Sequence, residues 1–332
     1  MNISVIGAGS WGTTLALLLN NNGHNVTLWE YDKKIAQTLT KERENKLLLP
    51  GIKFPDDLKV TNSLEEACTK QHMIVLSVPS QFVRSVLKQM KPFNFKDLTF
   101  VNVAKGIEKE SLLRMDQVIL EELPQLDETK LGILSGPSHA EDVSRKLPTV
   151  VTAASVSEDT AKHIQGTFMN SYFRVYSSTA VVGVELGGAL KNIIAIGAGV
   201  CDGAGFGDNT KAAIITRGLF EISKLGIALG AKPETFSGLS GMGDLSVTCG
   251  SKHSRNRFVG EKLGSGIKLK EIIESMNMVA EGVETCRSAF HLAKKINIET
   301  PIINAVYQAL FEDKDPIIAT YELMDREMKP EI

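Results

Sequence analysis

The sequence lacks the features that mark several classes of protein. Its four cysteines are widely scattered without a CxxC pair, and its six histidines form no HExxH pattern. We therefore expect neither a disulfide framework nor a metal site, and reduced thiols fit a cytoplasmic protein. The net charge is −2 and no run of basic residues occurs, so the composition gives no electrostatic reason to expect nucleic acid.

Targeting segments and membrane spans are also not evident. Residues 1–2 lead directly into a strand-like run without a basic leader, and no apolar stretch approaches the ~20 residues of a membrane span. The 332 residues are 43% hydrophobic and 23% charged, which is typical of a soluble globular protein with room for two domains. We expect a cytoplasmic protein with no integral membrane segment.

The first half of the chain alternates short β-branched runs with helical patterns. This alternation is typical of βαβ units in a doubly wound, mainly parallel sheet. The predicted strands are 2–6, 25–29, 73–77, 99–103, 131–134, 148–154 and 173–176. Helical patterns between them include 13–21, 65–69, 82–89 and 114–122.

From about residue 181 helical patterns replace strands. They cover 184–200, 210–229, 268–276, 283–295, 301–311 and 316–324. The pattern over 210–229 is apolar nearly all round, which indicates a central helix buried in the domain or at a subunit contact. We predict a Rossmann α/β domain over 1–181 and an all-helical domain over 182–332.

The sequence GAGSWG follows the first predicted strand and opens a helix. In such a motif Gly7 permits the tight turn, Gly9 lets the backbone approach a pyrophosphate, and Gly12 allows close packing of helix and strand. The free N–H groups of the helix N-terminus then stabilise the phosphates. The alternative is a glycine turn that binds no nucleotide.

Glu30 ends the second predicted strand, 23 positions after Gly7. A carboxylate there can accept hydrogen bonds from the ribose hydroxyls of NAD and would repel the 2′-phosphate of NADP. Lys33 and Lys34 follow closely and would soften that repulsion. We expect a preference for NAD, with NADP possible; the alternative is that Glu30 is an exposed strand end.

Two later strands also end at polar or turn-forming residues. Lys105 follows the strand over 99–103, and Gly136-Pro137-Ser138 follows the strand over 131–134. Ligands of open α/β sheets collect at the carboxyl ends of strands, so these residues face the predicted cleft. A solvated lysine and an ordinary turn are the alternatives.

Lys191 and Asn192 lie inside a predicted helix next to Gly187 and Gly188. Each glycine costs a helix about 1 kcal/mol relative to alanine, so close approach of a ligand or another backbone is expected there. A buried lysine near a second cation has a lowered pKa, which suits a general acid/base. Asp244 can orient its ammonium group; a surface lysine is the alternative.

The glycine-rich segment 238–257 concentrates polar residues in a half that is otherwise predicted to be helical. It contains Asp244, Thr248, Ser254, Arg255, Asn256 and Arg257. A guanidinium forms paired charge-assisted bonds to phosphate, so Arg255 is the candidate clamp, with Ser254 and Asn256 as further donors. An anionic substrate beside a nicotinamide cofactor explains this segment; the alternative is a solvated basic loop. Glu281 is a weaker candidate for a cofactor contact.

These residues lie in motifs that resemble NAD(P)-dependent sn-glycerol-3-phosphate dehydrogenase of the bacterial type over nearly the whole chain. The motifs are GAGSWGT at 7–13, NKLLLPG at 45–51, SVPSQ at 77–81, AKGIE at 104–108, SGPSHA at 135–140, LKNIIAIGAG at 190–199, GDNTKAAIITRG at 207–218, GLSGMGDLSVTC at 238–249, SRNR at 254–257 and AEGVET at 280–285. The resemblance implies interconversion of glycerol 3-phosphate and dihydroxyacetone phosphate for phospholipid synthesis, in a cytoplasmic enzyme that is commonly a homodimer.

The resemblance also implies roles for individual residues. Lys191 matches the family's proton acceptor. Matches to substrate contacts are Lys105, Gly136, Ser138, Asp244, Ser254, Arg255 and Asn256. Matches to cofactor contacts are Ser10, Trp11, Lys105, Ala140, Arg255, Val279 and Glu281.

Two positions depart from the family pattern. Glu30-Tyr31 stands where many bacterial members carry a neutral residue followed by His or Arg, which again favours NAD. His139 stands where the family often has Phe. Two other interpretations stay open: a β-hydroxyacid dehydrogenase, which would leave SRNR without a role, and a catalytically silent NAD sensor, which intact Lys191, Lys105 and Asp244 argue against.

Overall fold

The structure is a computed structural model that describes residues 1–276, 278–328 and 330–331. Position 332, where the predicted second domain ends, lies outside the described residues. The strands are β1 (Asn2–Ile6), β2 (Asn25–Trp29), β3 (Lys59–Thr61), β4 (Met73–Leu76), β5 (Thr99–Asn102), β6 (Leu131–Ser135), β7 (Thr149–Ala154) and β8 (Phe173–Ser178).

These strands form one sheet in the order β3-β2-β1-β4-β5-β6-β7-β8. The first six run parallel; β7 is antiparallel to β6, and β8 is parallel to β7. Chain order reverses between β1 and β4, and ligands of open α/β sheets bind outside the carboxyl ends of the strands at that point. The predicted doubly wound, mainly parallel sheet is confirmed.

Helices cover both faces of the sheet and bury two apolar clusters. One cluster includes Leu15 and Val75, and the other includes Ile74 and Phe100, so neighbouring residues of β4 point to opposite faces. The helices of this half are α1 (Ser10–Asn21), α2 (Lys33–Glu42), α3 (Leu64–Cys68), α4 (Val83–Met90), α5 (Met115–Glu122), α6 (Ala140–Ser144) and α7 (Glu158–Phe168).

The second half is helical and has its own core around one long helix. Its helices are α8 (Val181–Gly203), α9 (Asp208–Ala228), α10 (Asp244–Gly250), α11 (Arg255–Gly264), α12 (Leu269–Glu274), α13 (Glu281–Lys295), α14 (Pro301–Phe311) and α15 (Pro316–Met324). The predicted all-helical second domain is confirmed as a fold class. The division at 181/182 stays a proposal.

The helix α8 corrects the expectation that no apolar stretch approaches membrane-spanning length. It has 23 residues and is long and apolar enough to cross a bilayer, but its apolar stretch is 89% buried within the protein. A helix that is hydrophobic all round is typical of a protein core when other elements cover it. The helix α8 therefore has the character of a core helix.

The prediction that residues 210–229 form a buried central helix is wrong. The helix α9 buries only a stripe that includes Glu221 and Ile222, while the side chains of Phe220 and Ile227 are about half exposed. The helix α8 takes the central place because its residues are smaller and pack on every side. The alternative, that α9 lies at a subunit contact, stays a prediction.

Helices α8 and α11 are in backbone contact through glycine. A Cβ atom added at Gly199 would overlap the carbonyl oxygen of Arg257, and one added at Gly260 would overlap that of Ile196. Close approach of this kind is possible only where both helices present small residues. The contact fixes the separation of the helix that carries Lys191 and the helix that begins at Arg255.

Candidate active site

The glycine-rich turn connects β1 to the N-terminus of α1. Gly7 has a φ of +112°, which strongly favours glycine, and a Cβ on Gly12 would overlap the carbonyl oxygen of Gly7. Apart from the chain neighbours of Gly9, no described residue comes within 4 Å of where a Cβ on Gly9 would stand, so the backbone there is open to a ligand. Asn45, which the sequence argument did not single out, donates from its amide to Ala8 O at 2.9 Å and braces the turn.

The residues after β2 lie beside this turn. Trp29 O accepts the Gly7 N–H at 3.0 Å, which places the end of β2 against the glycines. The Glu30 carboxylate accepts the Asp32 N–H at 2.9 Å, and burial raises its pKa although backbone N–H groups partly oppose that change. Tyr31 is 70% exposed, with its ring edge-on to Trp29.

Beyond the carboxyl end of β5, where the sequence predicts the cleft, a buried carboxylate lies between two ammonium groups. Asp244 Oδ1 lies 2.8 Å from Lys191 Nζ, and Asp244 Oδ2 lies 2.6 Å from Lys105 Nζ. Lys105 follows β5, Lys191 lies in the middle of α8, and Asp244 is the first residue of α10. Three distant parts of the chain therefore meet at one ion cluster, which carries a net positive charge when both lysines are protonated.

Burial and the neighbouring charges shift the pKa values of this cluster. Burial lowers the pKa of Lys191 to about 8; Asp244 opposes the change and Lys105 adds to it. Burial also disfavours ionisation of Asp244, but the two ammonium groups outweigh it and keep the pKa of its carboxyl below the usual range. Asp244 therefore stays ionised near neutral pH. Lys191, in contrast, can gain or lose its proton at a pH close to neutral.

Two polar groups complete the cluster. Lys191 Nζ donates to Thr248 Oγ1 at 2.6 Å, and the Thr248 hydroxyl donates to Asp244 O at 2.6 Å. Lys105 Nζ donates to Gly136 O at 3.1 Å, which also accepts the Ser138 hydroxyl at 2.9 Å. Among the described residues each ammonium group thus uses two of its three N–H bonds, which leaves one for a ligand.

The two helical glycines before Lys191 make room for protein atoms. A Cβ on Gly187 would lie 2.6 Å from Ser240 O, and one on Gly188 would lie 2.6 Å from Ser135 Oγ. Ser240 belongs to one turn of π-helix, Leu239–Gly243, that leads into Asp244. Gly187 therefore lets this turn approach α8 closely enough for Asp244 to meet Lys191, and Gly188 makes room for Ser135 at the end of β6.

The glycine-rich segment 238–257, which lies outside the predicted helices, is mostly helical in the structure, and this disfavours the alternative of a solvated loop. Arg255, Asn256 and Arg257 form the first turn of α11, and the Ser254 hydroxyl caps this helix by accepting the Arg257 N–H at 3.2 Å. The Ser254 hydroxyl thereby satisfies one of the free N–H groups at the start of the helix. The predicted donor Ser254 thus acts here as an acceptor.

The first turn of α11 contacts the start of α13 and the residues just before it. Arg255 Nη1 donates to Val279 O at 3.0 Å, and Asn256 Oδ1 accepts the Gly282 N–H at 2.9 Å. A Cβ on Gly282 would lie 2.8 Å from Asn192 O, so Asn192, next to Lys191, belongs to the same contact. Arg257 does not join it; its guanidinium pairs with Asp202 and Glu261.

Glu281 links the two halves of the chain. Its carboxylate accepts the Ser80 N–H at 2.7 Å, and Ser80 begins a 3-10 turn, Ser80–Phe82, shortly after β4. Burial raises the pKa of Glu281, and the Ser80 N–H opposes that change. Ser80 was missed because a serine in a loop carries no distinctive signal; only its place within the SVPSQ motif pointed to it.

The other predicted cofactor residues lie around the start of α1. Ser10 is its first residue and is buried, and Trp11 is half-buried against the apolar cluster of that face. Ala140 begins α6, and its carbonyl oxygen accepts the Thr14 hydroxyl at 3.3 Å. The structure therefore places Ser10, Trp11 and Ala140 with the glycine turn.

His139 lies just before α6, with its ring centroid 6.1 Å from that of His253. Burial lowers the pKa of His139, and the positive charge of Lys191 acts in the same direction. The pair spans the loop after β6 and the loop before α11. Nothing in the structure explains why His rather than Phe stands at position 139.

Comparison with known proteins matches both halves of the chain to one family. Residues 2–161 match the N-terminal model of NAD-dependent glycerol-3-phosphate dehydrogenase, and residues 180–320 match the C-terminal model. Glycerol-3-phosphate dehydrogenase [NAD(P)+] of Chlorobium phaeobacteroides is 53% identical over 331 residues, covering 100% of this chain and 99% of that protein. The enzyme of the same description from Fusobacterium nucleatum is 50% identical over 332 residues, with coverage of 100% and 99%.

A solved structure gives the same result. The crystal structure of glycerol-3-phosphate dehydrogenase from Coxiella burnetii superposes with a TM-score of 0.94 at 38% identity, covering 98% of this chain and 99% of that one. The similarity extends over the sheet and the helical half, including the elements that carry the ion cluster.

Proposed function

This chain belongs to the NAD-dependent glycerol-3-phosphate dehydrogenase family, and on that basis we propose how its individual residues perform the reaction. The enzyme is an NAD(P)-dependent oxidoreductase that interconverts sn-glycerol 3-phosphate and dihydroxyacetone phosphate. We propose Lys191 as the general acid/base and Arg255 as the phosphate clamp. The observation that carries this assignment is the buried Lys191–Asp244–Lys105 cluster.

Lys191 exchanges the proton of the substrate C2 oxygen. Asp244 and Thr248 hold its ammonium group by two N–H bonds, which leaves the third for that oxygen. A pKa of about 8 lets Lys191 donate a proton during reduction and accept one during oxidation near neutral pH. Lys105, on the other side of Asp244, polarises the same oxygen or holds the substrate through its remaining N–H.

The dinucleotide would be held by the glycine turn, Ser10, Trp11 and Ala140 on one side and by Val279 and Glu281 on the other. The backbone at Gly9 is open for a pyrophosphate to approach. Gly7 and Gly12 allow the conformation and the close packing that this turn requires. When bound, the nicotinamide supplies or accepts the hydride. The residues of the cleft supply position and fixed charge.

Replacing the proposed clamp should chiefly weaken substrate binding. We expect Arg255→Ala to raise the KM for dihydroxyacetone phosphate at least about tenfold, because it removes charge-assisted bonds worth about 1.5–3 kcal/mol each. Arg255→Lys keeps the charge but loses the paired geometry, so its KM should lie between those of wild type and Arg255→Ala. Steady-state kinetics measures both, and an unchanged KM in Arg255→Ala would contradict the clamp.

Cofactor choice should depend on the charge at Glu30. We expect NADH to be oxidised more efficiently than NADPH in the presence of dihydroxyacetone phosphate, followed by absorbance in the near ultraviolet. Glu30→Gln keeps the shape and removes the charge, so the ratio of the two kcat/KM values should move toward NADPH by about tenfold, equivalent to 1.4 kcal/mol. An unmoved ratio would show that Glu30 is not the discriminator.

The physiological setting is also a proposal. The family resemblance supports a cytoplasmic enzyme that supplies glycerol 3-phosphate for phospholipid synthesis. The apolar side chains exposed on α9, such as Phe220 and Ile227, support a homodimer. Sedimentation of the purified protein at a dimer mass would agree with that proposal, and a monomer mass at micromolar concentration would oppose it.

A further inference from the structure

We infer that Asp202, which no argument from the sequence singled out, is a positioning residue for the phosphate-binding end of the cleft. The inference rests on the clamp role proposed for Arg255. Asp202 belongs to a network of largely buried charges that joins α11 to α8 and α9 and does not itself face the substrate.

One carboxylate joins three helices in this network. Arg257 Nε lies 2.6 Å from Asp202 Oδ2, and Lys211 Nζ lies 2.9 Å from Oδ1 and 2.8 Å from Oδ2. Asp202 is in the last turn of α8, Lys211 is in the first turn of α9, and Arg257 is in the first turn of α11. The ends of these three helices are therefore tied at one point.

These contacts differ from ordinary surface ion pairs. The side chains of Asp202, Lys211 and Arg257 are only 17–22% exposed, so solvent and salt screen them less. An acidic residue in the last turn of a helix also opposes the macrodipole of that helix. An acidic residue at this unfavourable place in a helix is expected where tertiary structure or function requires its charge.

The network can fix the orientation of Arg255. Backbone contact with Gly199 sets the distance between α8 and the first turn of α11. The side chain of Arg257 adds a second constraint, because its bond to Asp202 restricts rotation of α11 about its own axis. Arg255 and Asn256 precede Arg257 in the same turn, so a rotation of the helix would move both away from the cleft.

The test is the kinetics of Asp202→Asn in the full-length enzyme. We expect the KM for dihydroxyacetone phosphate to rise about tenfold with kcat within about twofold, because the catalytic lysine stays in place while the phosphate contacts are displaced. Glu261→Gln is the matched control, since the Glu261 side chain also pairs with Arg257 but is 41% exposed and, among the described residues, makes no ion pair or hydrogen bond with α8. Its KM should stay within about twofold of wild type.

Two further measurements keep the inference distinct from the proposed function and from a folding defect. Calorimetric titration of the NAD-bound protein with inorganic phosphate tests positioning without turnover; weaker binding in Asp202→Asn than in wild type supports it. If Asp202→Asn does not fold, Arg257→Lys, which keeps the charge, should raise the KM in the same way. Equal phosphate affinity, or a fall in kcat at unchanged KM, would overturn the inference. No turnover of dihydroxyacetone phosphate by wild type would instead refute the proposed function.

Discussion

Lys191→Met should lower kcat at least about a hundredfold, the low end for loss of a general acid/base. The protein should still fold, because Asp244 keeps its ion pair with Lys105 and is not left as an unpaired buried charge. Binding of NADH, followed by its fluorescence, should stay near the wild-type value, since no predicted cofactor contact is removed. A near-normal kcat in this variant would exclude Lys191 from proton transfer.

The role of Lys191 in proton transfer also predicts how kcat/KM depends on pH. Burial lowers the pKa of Lys191 to about 8 in the free enzyme. Reduction needs the protonated form, so kcat/KM for dihydroxyacetone phosphate should fall as the pH rises through about 8. Oxidation of glycerol 3-phosphate needs the neutral amine, so its kcat/KM should rise over the same interval. In Lys191→Met both inflections should disappear, and their persistence would assign them to another group.

Gly260→Ala should destabilise the enzyme and reduce its activity. The added methyl group would overlap the backbone of Ile196, so α11 must move away from α8. Overpacking of this kind costs about 1–3 kcal/mol, which exceeds the gain in helix propensity from alanine. We expect a lower melting temperature and a raised KM for dihydroxyacetone phosphate, because α11 carries the proposed clamp.

Gly166→Ala is the matched control. Gly166 is also helical, in α7, but apart from its chain neighbours and the nearby backbone of its own helix no described atom lies within 4 Å of the site of its Cβ. Alanine should therefore stabilise the protein by about 0.4–1 kcal/mol and leave activity unchanged. Opposite signs for the two variants in thermal unfolding would establish that close packing, and not helix propensity, requires Gly260. A stabilised Gly260→Ala would contradict the argument.

Much of the sheet could be predicted from the sequence because buried parallel strands are short, apolar and β-branched. The predicted strands over 2–6 and 25–29 match β1 and β2 residue for residue. The strand β3 was missed because Lys59–Thr61 has three residues and only its last is buried. The helices α10 and α11 were missed because glycine weakens a helical pattern. Close packing of α11 against α8 requires Gly260 and Gly264, and the periodicity of a sequence does not report such packing.

Part of the candidate site could also be predicted, because three of its residues stand at positions that have a local signal in the sequence. Lys105, Lys191 and Asp244 were singled out by their places at a strand end, in a glycine-flanked helix and in a polar segment. The sequence does not give the single carboxylate between two ammonium groups, because that arrangement depends on how three distant elements pack. The ion pair between Asp202 and Arg257 was not predicted, because two residues 55 positions apart give no local signal that they are in contact.

The helix α8 packs against the sheet at its start and forms the core of the helical half along the rest of its length. Val181 and Val184 in its first turn pack with Ile133 and Ala154 of the sheet, while Leu190 and Ile193 lie in the core of the helical half. Partial unfolding of either half would therefore strip apolar contacts from this helix and weaken the other half. The two halves are thus thermodynamically linked, and they should lose their structure in one cooperative transition rather than in two.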